Sequence, residues 1–180
     1  MEEYYKISNL QELMDYMNEH IEYGFVDTNG DRNVQSLKGL KEYYVTRSVD
    51  ETINNGLGTC VEQTLVIGDT LKRLGYVPYY YTRIFREVNR LFPENQPGDI
   101  RLHTFVLGTK DDKCIYFEHA NSKMRGIYEY SSIDEALSAI DIMKNHPECF
   151  KTYQIDEIPV GISFNELLDF LLSFDKEKTK

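Results

Sequence analysis

The segment from Thr59 to Gly75 constrains the fold more than any other part of the chain. Thr59, followed three residues later by Glu62, has the spacing of a capping box, in which two side chains satisfy free backbone N–H groups at a helix start. The apolar residues that follow cover a wide arc of helical positions and are Val61, Leu65, Val66, Ile67, Leu71 and Leu74. Such an arc is typical of a buried helix. The segment therefore predicts a central helix that ends at Gly75.

Three segments after this helix are rich in β-branched and aromatic residues, at positions 76–86, 102–109 and 114–118. The last two flank Lys110-Asp111-Asp112, a polar sequence that is typical of a hairpin turn. Residues 125–130 and 153–158 have a similar composition and predict two further strands. Because short turns join antiparallel neighbours, we expect a mainly antiparallel sheet.

Capping-box spacing predicts four other helix starts. The pairs are Ser8 with Gln11, Ser48 with Glu51, Ser132 with Glu135 and Ser163 with Glu166. The apolar period after the first pair continues as far as Gly24, and residues 37–45 predict a short additional helix. Helices on both sides of a run of strands predict an α+β fold in which an antiparallel sheet packs against helices. At 180 residues, we expect a single domain over positions 1–180.

The charge balance excludes several classes of partner. The chain has 20 Lys and Arg residues against 30 Asp and Glu residues, which gives a net charge of -10. An acidic protein repels phosphate backbones and anionic lipid headgroups. We therefore expect no nucleic-acid partner and no membrane partner, while the charge balance indicates nothing about the oligomeric state.

The cysteines indicate a reducing compartment. Cys60, Cys114 and Cys149 are too few and too widely spaced for a secreted disulfide framework. The N-terminal sequence MEEYYKISNL lacks the basic stretch and apolar core of a signal peptide, and no apolar run approaches the ~18 residues that span a bilayer. We expect a cytoplasmic protein. Cys114 and Cys149, on or near predicted strands, are interpreted as packing residues.

Two patterns resemble metal sites but fit them poorly. The loop from Asp27 to Asp31 has alternating oxygen ligands, but Lys38 stands where a calcium loop needs a bidentate Glu. His146 and Cys149 are spaced like half of a zinc site, and no second pair of ligands accompanies them. We interpret the first pattern as a solvated turn, and we expect no metal and no cofactor.

Cys60 is the first residue of the predicted central helix, and this position suits a nucleophile. A thiol attacks a carbonyl carbon as its thiolate, and the free N–H groups and dipole of a helix start favour negative charge. Glu62 in the same turn offsets part of that effect. Gly56 and Gly58, just before the helix, allow a sharp turn and a close approach of substrate. Cys60 is therefore the candidate nucleophile.

The two following strands supply a candidate base and a candidate orienting acid. His103 lies at the start of the 102–109 strand, and Glu118 ends the 114–118 strand. Because a short turn joins these strands, the start of one should lie beside the end of the other. This arrangement fits a Cys-His-acid triad. His119 and Asn121 stay open as alternatives to Glu118, since an amide oxygen also accepts from an imidazole N–H.

A resemblance to the transglutaminase-like superfamily is carried by three stretches, Gly58-Thr59-Cys60-Val61-Glu62, His103-Thr104-Phe105-Val106 and Tyr116-Phe117-Glu118. In that family a Gly-x-Cys opens a helix packed on an antiparallel sheet, a His starts one strand, and an Asp ends the next. The resemblance covers residues 48–121. It implies a papain-like fold and acyl-transfer chemistry, with Cys60 as nucleophile, His103 as general base and acid, and Glu118 as the orienting acid.

Two positions depart from the family pattern. Glu118 stands where the family usually has Asp, and Phe105 stands where it usually has Trp. A Glu side chain is one methylene longer than Asp. We therefore expect the two strand ends to sit slightly differently if Glu118 is the acid.

The oxyanion that forms during acyl transfer needs hydrogen-bond donors, and the backbone N–H of Cys60 is the default donor. A papain-like site adds a side-chain amide a few residues upstream, for which Asn54 and Asn55 are the candidates. The sequence Asn-Asn-Gly is also ordinary turn chemistry. The turn interpretation carries more weight than the donor interpretation.

The resemblance implies a thiol-dependent hydrolase or acyltransferase that acts on a peptide or protein amide. We expect hydrolysis unless the long loop at 87–100, a candidate lid, excludes water from the site. The alternative hypothesis is a catalytically inactive member that uses its cleft to bind peptides or partner proteins. A third hypothesis is a domain with a purely structural role in partner binding and no working cleft.

Overall fold

The computed structural model describes residues 2–85, 100–143 and 150–177. These residues form a short 3-10 helix (Tyr4–Lys6), six α-helices and two β-sheets. The helices are α1 (Leu10–His20), α2 (Leu40–Tyr43), α3 (Val49–Asn55), α4 (Cys60–Arg73), α5 (Ile133–Met143) and α6 (Phe164–Glu177). The strands are β1 (Glu22–Val26), β2 (Arg32–Val34), β3 (Leu57–Gly58), β4 (Val77–Phe85), β5 (Arg101–Lys110), β6 (Lys113–Glu118), β7 (Gly126–Tyr130) and β8 (Phe150–Ile155). The predicted α+β class is confirmed.

The larger sheet has five strands in the order β7-β6-β5-β4-β8, and every neighbouring pair is antiparallel. The hairpin between β5 and β6 turns at Asp111 and Asp112, both of which have positive φ, as a two-residue hairpin turn requires. The predicted antiparallel sheet is therefore confirmed. The prediction for the last strand is displaced, because β8 begins at Phe150 instead of Tyr153 and ends at Ile155.

Helix α4 packs on one face of this sheet, and the predicted central helix is confirmed. Thr59 is the N-cap, and both hydrogen bonds of its capping box with Glu62 are present. Thr64 Oγ1 donates to the Thr104 carbonyl oxygen of β5 over 2.9 Å, which joins the helix to the middle of the sheet. The buried residues shared by α1, α4 and the sheet include Leu13, Met17, Val66, Leu71, Val106 and Phe117.

Helix α5 covers the opposite face of the sheet. Its residues Ala136 and Ile140 are in one buried cluster with Phe105 and Tyr116, whose strand neighbours Val106 and Phe117 point towards α4. This alternation is the period of a β-strand that is buried on both faces. No helix within the described ranges is both long and apolar enough to cross a membrane.

The smaller sheet has the order β2-β1-β3, and no sequence pattern predicts it. The predicted first helix ends at His20, and the chain continues as β1 where the helix was expected to reach Gly24. Ile21 is buried as the C-cap residue, so the apolar period runs past the end of the helix. Position 24 accepts only glycine, because a Cβ there would lie 2.1 Å from the Asn33 carbonyl oxygen of β2.

The predicted N-cap of the first helix is also wrong, because Asn9 takes the place of Ser8. Asn9 Oδ1 accepts from the Glu12 N–H over 2.9 Å, and Glu12 reaches back to accept from the Ser8 N–H and hydroxyl. Gln11 donates to Asp15 one turn further on and takes no part in the cap. An Asn caps a helix as well as a Ser does, so the spacing alone could not distinguish the two registers.

Leu71 provides a test of the packing between α4 and the sheet. Its side chain is 0% exposed, so Leu71→Ala should lower the free energy of unfolding by about 2–5 kcal/mol through lost burial and a new cavity. Leu37→Ala is the matched control, since Leu37 is 47% exposed, and we expect its effect to stay within about 0.5 kcal/mol. Urea denaturation followed by circular dichroism measures both. Similar losses for the two variants would contradict the core described here.

Candidate active site

Cys60 is the first residue of α4 and is partly exposed. The two-residue strand β3 leads into it, and this strand is held by parallel pairing with β1. Gly58 has no room for a side chain, because a Cβ there would lie 2.9 Å from Glu62 Cβ and 3.1 Å from Thr52 Cγ2. Gly56 caps α3 in the left-handed region. These glycines therefore let the chain turn tightly before the sulfur, as the sequence analysis predicted.

Glu62, one turn after Cys60, is a buried carboxylate that belongs to the helix cap. Its oxygens accept from the Thr59 N–H over 2.9 Å and from the Thr59 hydroxyl over 2.6 Å. They also accept from the hydroxyl of Tyr44 and from the Arg47 N–H. All four hydrogen bonds fix the loop and helix start around Cys60. Glu62 is thus engaged in structure and has no free oxygen directed towards a reaction.

The side chains of His103 and Glu118 meet at the ends of β5 and β6. His103 Nε2 lies 2.8 Å from Glu118 Oε2, and the two side chains are 13% and 3% exposed. The ladder between these strands ends where Leu107 pairs with Tyr116, so both residues lie beyond the last paired positions. The pairing of the two strands ends before these residues, and the Glu118 side chain reaches the imidazole directly.

The Glu118 carboxylate receives two further hydrogen bonds. The Tyr116 hydroxyl donates to Oε2 over 2.6 Å, and the Asn121 backbone N–H donates to Oε1 over 2.9 Å. Asn121 was the alternative orienting residue, but its side-chain Oδ1 accepts from the Lys123 N–H. The structure thus brings Glu118 to the imidazole and uses Asn121 to hold Glu118.

Cys60 lies close enough to His103 to raise the pKa of the imidazole. Because Nε2 is occupied by Glu118, Nδ1 is the ring nitrogen left for the sulfur. Burial acts to lower the pKa of His103, but the charge and hydrogen bond of Glu118, together with the nearby Cys60, raise it to about 9. Burial acts to raise the pKa of Glu118, and the charge and hydrogen bond of His103 lower it to about 2. At neutral pH the pair is therefore an imidazolium and a carboxylate.

A second buried histidine follows Glu118 and has a different environment. His119 Nδ1 lies 2.7 Å from Gln63 Oε1, and Gln63 Nε2 donates to the Gly58 carbonyl oxygen over 2.9 Å. Burial and the nearby charge of Arg125 lower the pKa of His119 to about 4, against the opposing effect of Glu118. His119 is therefore neutral at physiological pH. It connects the end of β6 to the turn before Cys60 and does not contact His103 as an orienting residue.

The two candidate amides for the oxyanion lie at the C-terminal end of α3. Asn54 is exposed, and the backbone carbonyl of Asn55 accepts a hydrogen bond from Arg32. In the part of the chain that the structure describes, no hydrogen bond links either side-chain amide to Cys60 or His103. Both residues belong to the last turn of α3, and the turn predicted to begin at Asn54 begins only at Gly56, the left-handed C-cap.

Gln63 and Tyr116 are site residues that were not among the candidates predicted from the sequence. Gln63 is three residues after Cys60 and so lies on the same side of α4. Tyr116 is two residues before Glu118 and so shares its face of β6. The helical and strand periods could have placed both residues near the site. Their hydrogen bonds could not be predicted, because these depend on where the two strands separate.

The other cysteine and metal interpretations have different outcomes. Cys114 is fully buried on β6, and burial raises its pKa to about 11, so its interpretation as a packing residue is confirmed.

The loop from Asp27 to Asp31 is the turn between β1 and β2, and Asp27 Oδ1 accepts from two backbone N–H groups of that turn. No cluster of three or more potential metal ligands occurs among the described residues. His146, Cys149 and residues 87–99 of the candidate lid lie outside those residues.

Comparisons with known proteins add no information about this site. No protein-family model matches the chain, and neither the curated proteins nor the solved structures include a match. The functional argument therefore depends on the geometry of the chain itself.

Replacement of Glu118 tests the origin of the His103 pKa. We expect the wild-type imidazole to titrate near pH 9 and the Glu118→Gln variant to titrate at least about one unit lower, because the neutral amide removes the attracting charge. Proton NMR of the histidine rings across pH measures both midpoints. Asn121→Ala is the control, since the backbone N–H that holds Glu118 remains. A midpoint unaffected by Glu118→Gln would contradict the ion pair.

The same pair should make stability depend on pH. His103 binds its proton more tightly in the folded state, so its contribution is complete below about pH 6.5 and is lost as the pH rises through about 9. Glu118 contributes above about pH 4.5 and loses its contribution as the pH falls through about 2. The difference in unfolding free energy between wild type and Glu118→Gln should be largest between about pH 5 and 6.5. A difference that is constant across pH would contradict this linkage.

Proposed function

We propose that the protein is a cysteine-dependent hydrolase or acyltransferase that acts on the amide carbonyl of a peptide or protein. The observation that carries this proposal is the hydrogen bond between His103 Nε2 and Glu118, with Cys60 at a helix start and close enough to raise the pKa of the same imidazole. Acyl transfer by a thiol requires three groups in this spatial order, namely a thiol, an imidazole and a carboxylate that orients the imidazole. The same order on α4, β5 and β6 resembles the transglutaminase-like superfamily and supports a papain-like assignment of the fold.

The proposed reaction begins with the Cys60 thiolate beside the His103 imidazolium. The sulfur attacks the carbonyl carbon, the S–C bond forms, and the carbonyl π electrons move to the oxygen. When the double bond re-forms, the C–N bond breaks and the imidazolium gives its Nδ1 proton to the departing amine. The products of this half-reaction are a thioester on Cys60, a free amine and a neutral His103. Glu118 holds the imidazole in the orientation that this proton transfer needs.

The second half-reaction resolves the thioester. Water, or an amine acceptor, attacks the thioester carbon while neutral His103 takes its proton. The C–S bond then breaks, which releases the acid or the new amide and restores the thiolate and the imidazolium. Hydrolysis is the proposed outcome, because Cys60 is partly exposed to solvent. We further propose a cytoplasmic location, because the nucleophile has to stay reduced.

Alkylation with iodoacetamide tests whether Cys60 is an activated nucleophile. At about pH 6.5, we expect Cys60 to react at least tenfold faster in the wild type than in His103→Ala, because an adjacent imidazolium favours the thiolate. Mass spectrometry of tryptic peptides measures the modification at each cysteine separately. Cys114, which is fully buried, should stay unmodified in the folded protein.

Two control variants accompany this measurement. Cys60→Ala identifies the Cys60 signal, and His20→Ala is the matched histidine control, since His20 contacts Glu3 and Glu19 at the surface, away from the candidate site. We expect His20→Ala to react as the wild type does. Equal rates in wild type and His103→Ala would contradict an activated nucleophile and would favour the inactive, peptide-binding alternative.

A further inference from the structure

Tyr23 lies on the strand that supports the turn before Cys60. It belongs to β1, and its backbone pairs with Gly58 of β3, two residues before the sulfur. Phe25, two positions further along β1, is in one buried cluster with Val61, and Cys60 packs against that cluster. The smaller sheet thus places Tyr23 at the edge of the candidate site. Tyr23 was not a sequence-based candidate, because the sequence pattern does not predict β1.

The hydroxyl group of Tyr23 is an available donor. The ring is half-buried, yet the described residues provide no hydrogen-bond partner for its oxygen. Neighbouring tyrosines differ in this respect, because the hydroxyl of Tyr44 donates to Glu62 and that of Tyr116 donates to Glu118. The Tyr23 oxygen is not among the buried side-chain atoms without a partner, so it is accessible from solvent and can donate to a group of the substrate.

The charges around Tyr23 keep its hydroxyl protonated. Burial raises the pKa of Tyr23, and the negative charges of Cys60, Glu62 and Glu118 raise it further. The ring is therefore within electrostatic range of the nucleophile and of the orienting acid, as the backbone pairing with Gly58 also indicates. A hydroxyl that stays protonated can donate to an anion at neutral pH but cannot act as a base.

We infer that the Tyr23 hydroxyl is the side-chain donor that stabilises the oxyanion, the role for which Asn54 and Asn55 were the candidates. This inference depends on the proposed acyl transfer. As the S–C bond forms, the carbonyl oxygen becomes negative and accepts from the Tyr23 O–H and from the Cys60 backbone N–H. Tyr23 keeps its proton throughout, and the oxygen loses its charge when the carbonyl double bond re-forms.

Tyr23→Phe separates this role from a structural one. With p-nitrophenyl acetate as acyl donor, we expect acetylation of Cys60 to slow at least about tenfold, because one oxyanion donor is lost. Alkylation of the same sulfur by iodoacetamide displaces iodide and forms no oxyanion, so its rate should stay within about twofold of wild type. Release of p-nitrophenolate, corrected for the Cys60→Ala background, measures the first rate, and mass spectrometry measures the second.

The controls cover the alternatives. Tyr43→Phe makes the same change on a ring that is 44% exposed, and it should acetylate as the wild type does. Asn54→Ala and Asn55→Ala should also retain the wild-type rate. A tenfold loss in either asparagine variant, with Tyr23→Phe unchanged, would assign the donor to that amide and overturn the inference.

Each remaining outcome is decisive. Unchanged acetylation in Tyr23→Phe would overturn the role of Tyr23 and leave the proposed acyl transfer standing. Loss of both acetylation and alkylation in that variant would show that Tyr23 supports the structure of the site, which also overturns the inference. Absence of acetylation in the wild type would overturn the proposed function and, with it, the inference.

Discussion

The candidate site depends on the carboxylate of Glu118, which has to stay ionised although it is buried. Glu118 is 3% exposed, and burial alone would favour its neutral form. Three hydrogen bonds, from His103, Tyr116 and the Asn121 backbone, compensate for the lost water. The carboxylate in turn holds His103 as an imidazolium. The buried charge of Glu118 thus determines the protonation state of His103, the group next to Cys60.

A second buried carboxylate determines where the nucleophile lies. Glu62 closes the capping box of α4 and also accepts from Tyr44 and Arg47 N–H, so it fixes the residues on both sides of Cys60. Gln63 and His119 connect the turn before Cys60 to the end of β6. The helix start and the strand ends are therefore joined by polar contacts that are buried or partly buried. Removal of a single partner lowers the stability of the fold, because the remaining buried polar group loses its hydrogen bond.

Local signals in the sequence predicted much of this arrangement. The capping box at Thr59 and the polar turn at Asp111 and Asp112 depend on residues close together in the chain, and both form as expected. The contact of His103 with Glu118 followed from the short hairpin. The smaller sheet could not be predicted, because β1 pairs with β3 across about 35 residues of intervening chain. Tyr23 was missed for the same reason, since only tertiary pairing brings it to Cys60.

The central claim is that Cys60 lies close enough to His103 to raise the pKa of the imidazole. The most direct test is the ring titration of His103, followed by NMR in the wild type and in Cys60→Ala. Cys60 contributes to the raised pKa of His103, so the midpoint should fall from about 9 when the sulfur is removed. A midpoint that stays the same in Cys60→Ala would contradict the proximity on which the proposed chemistry depends.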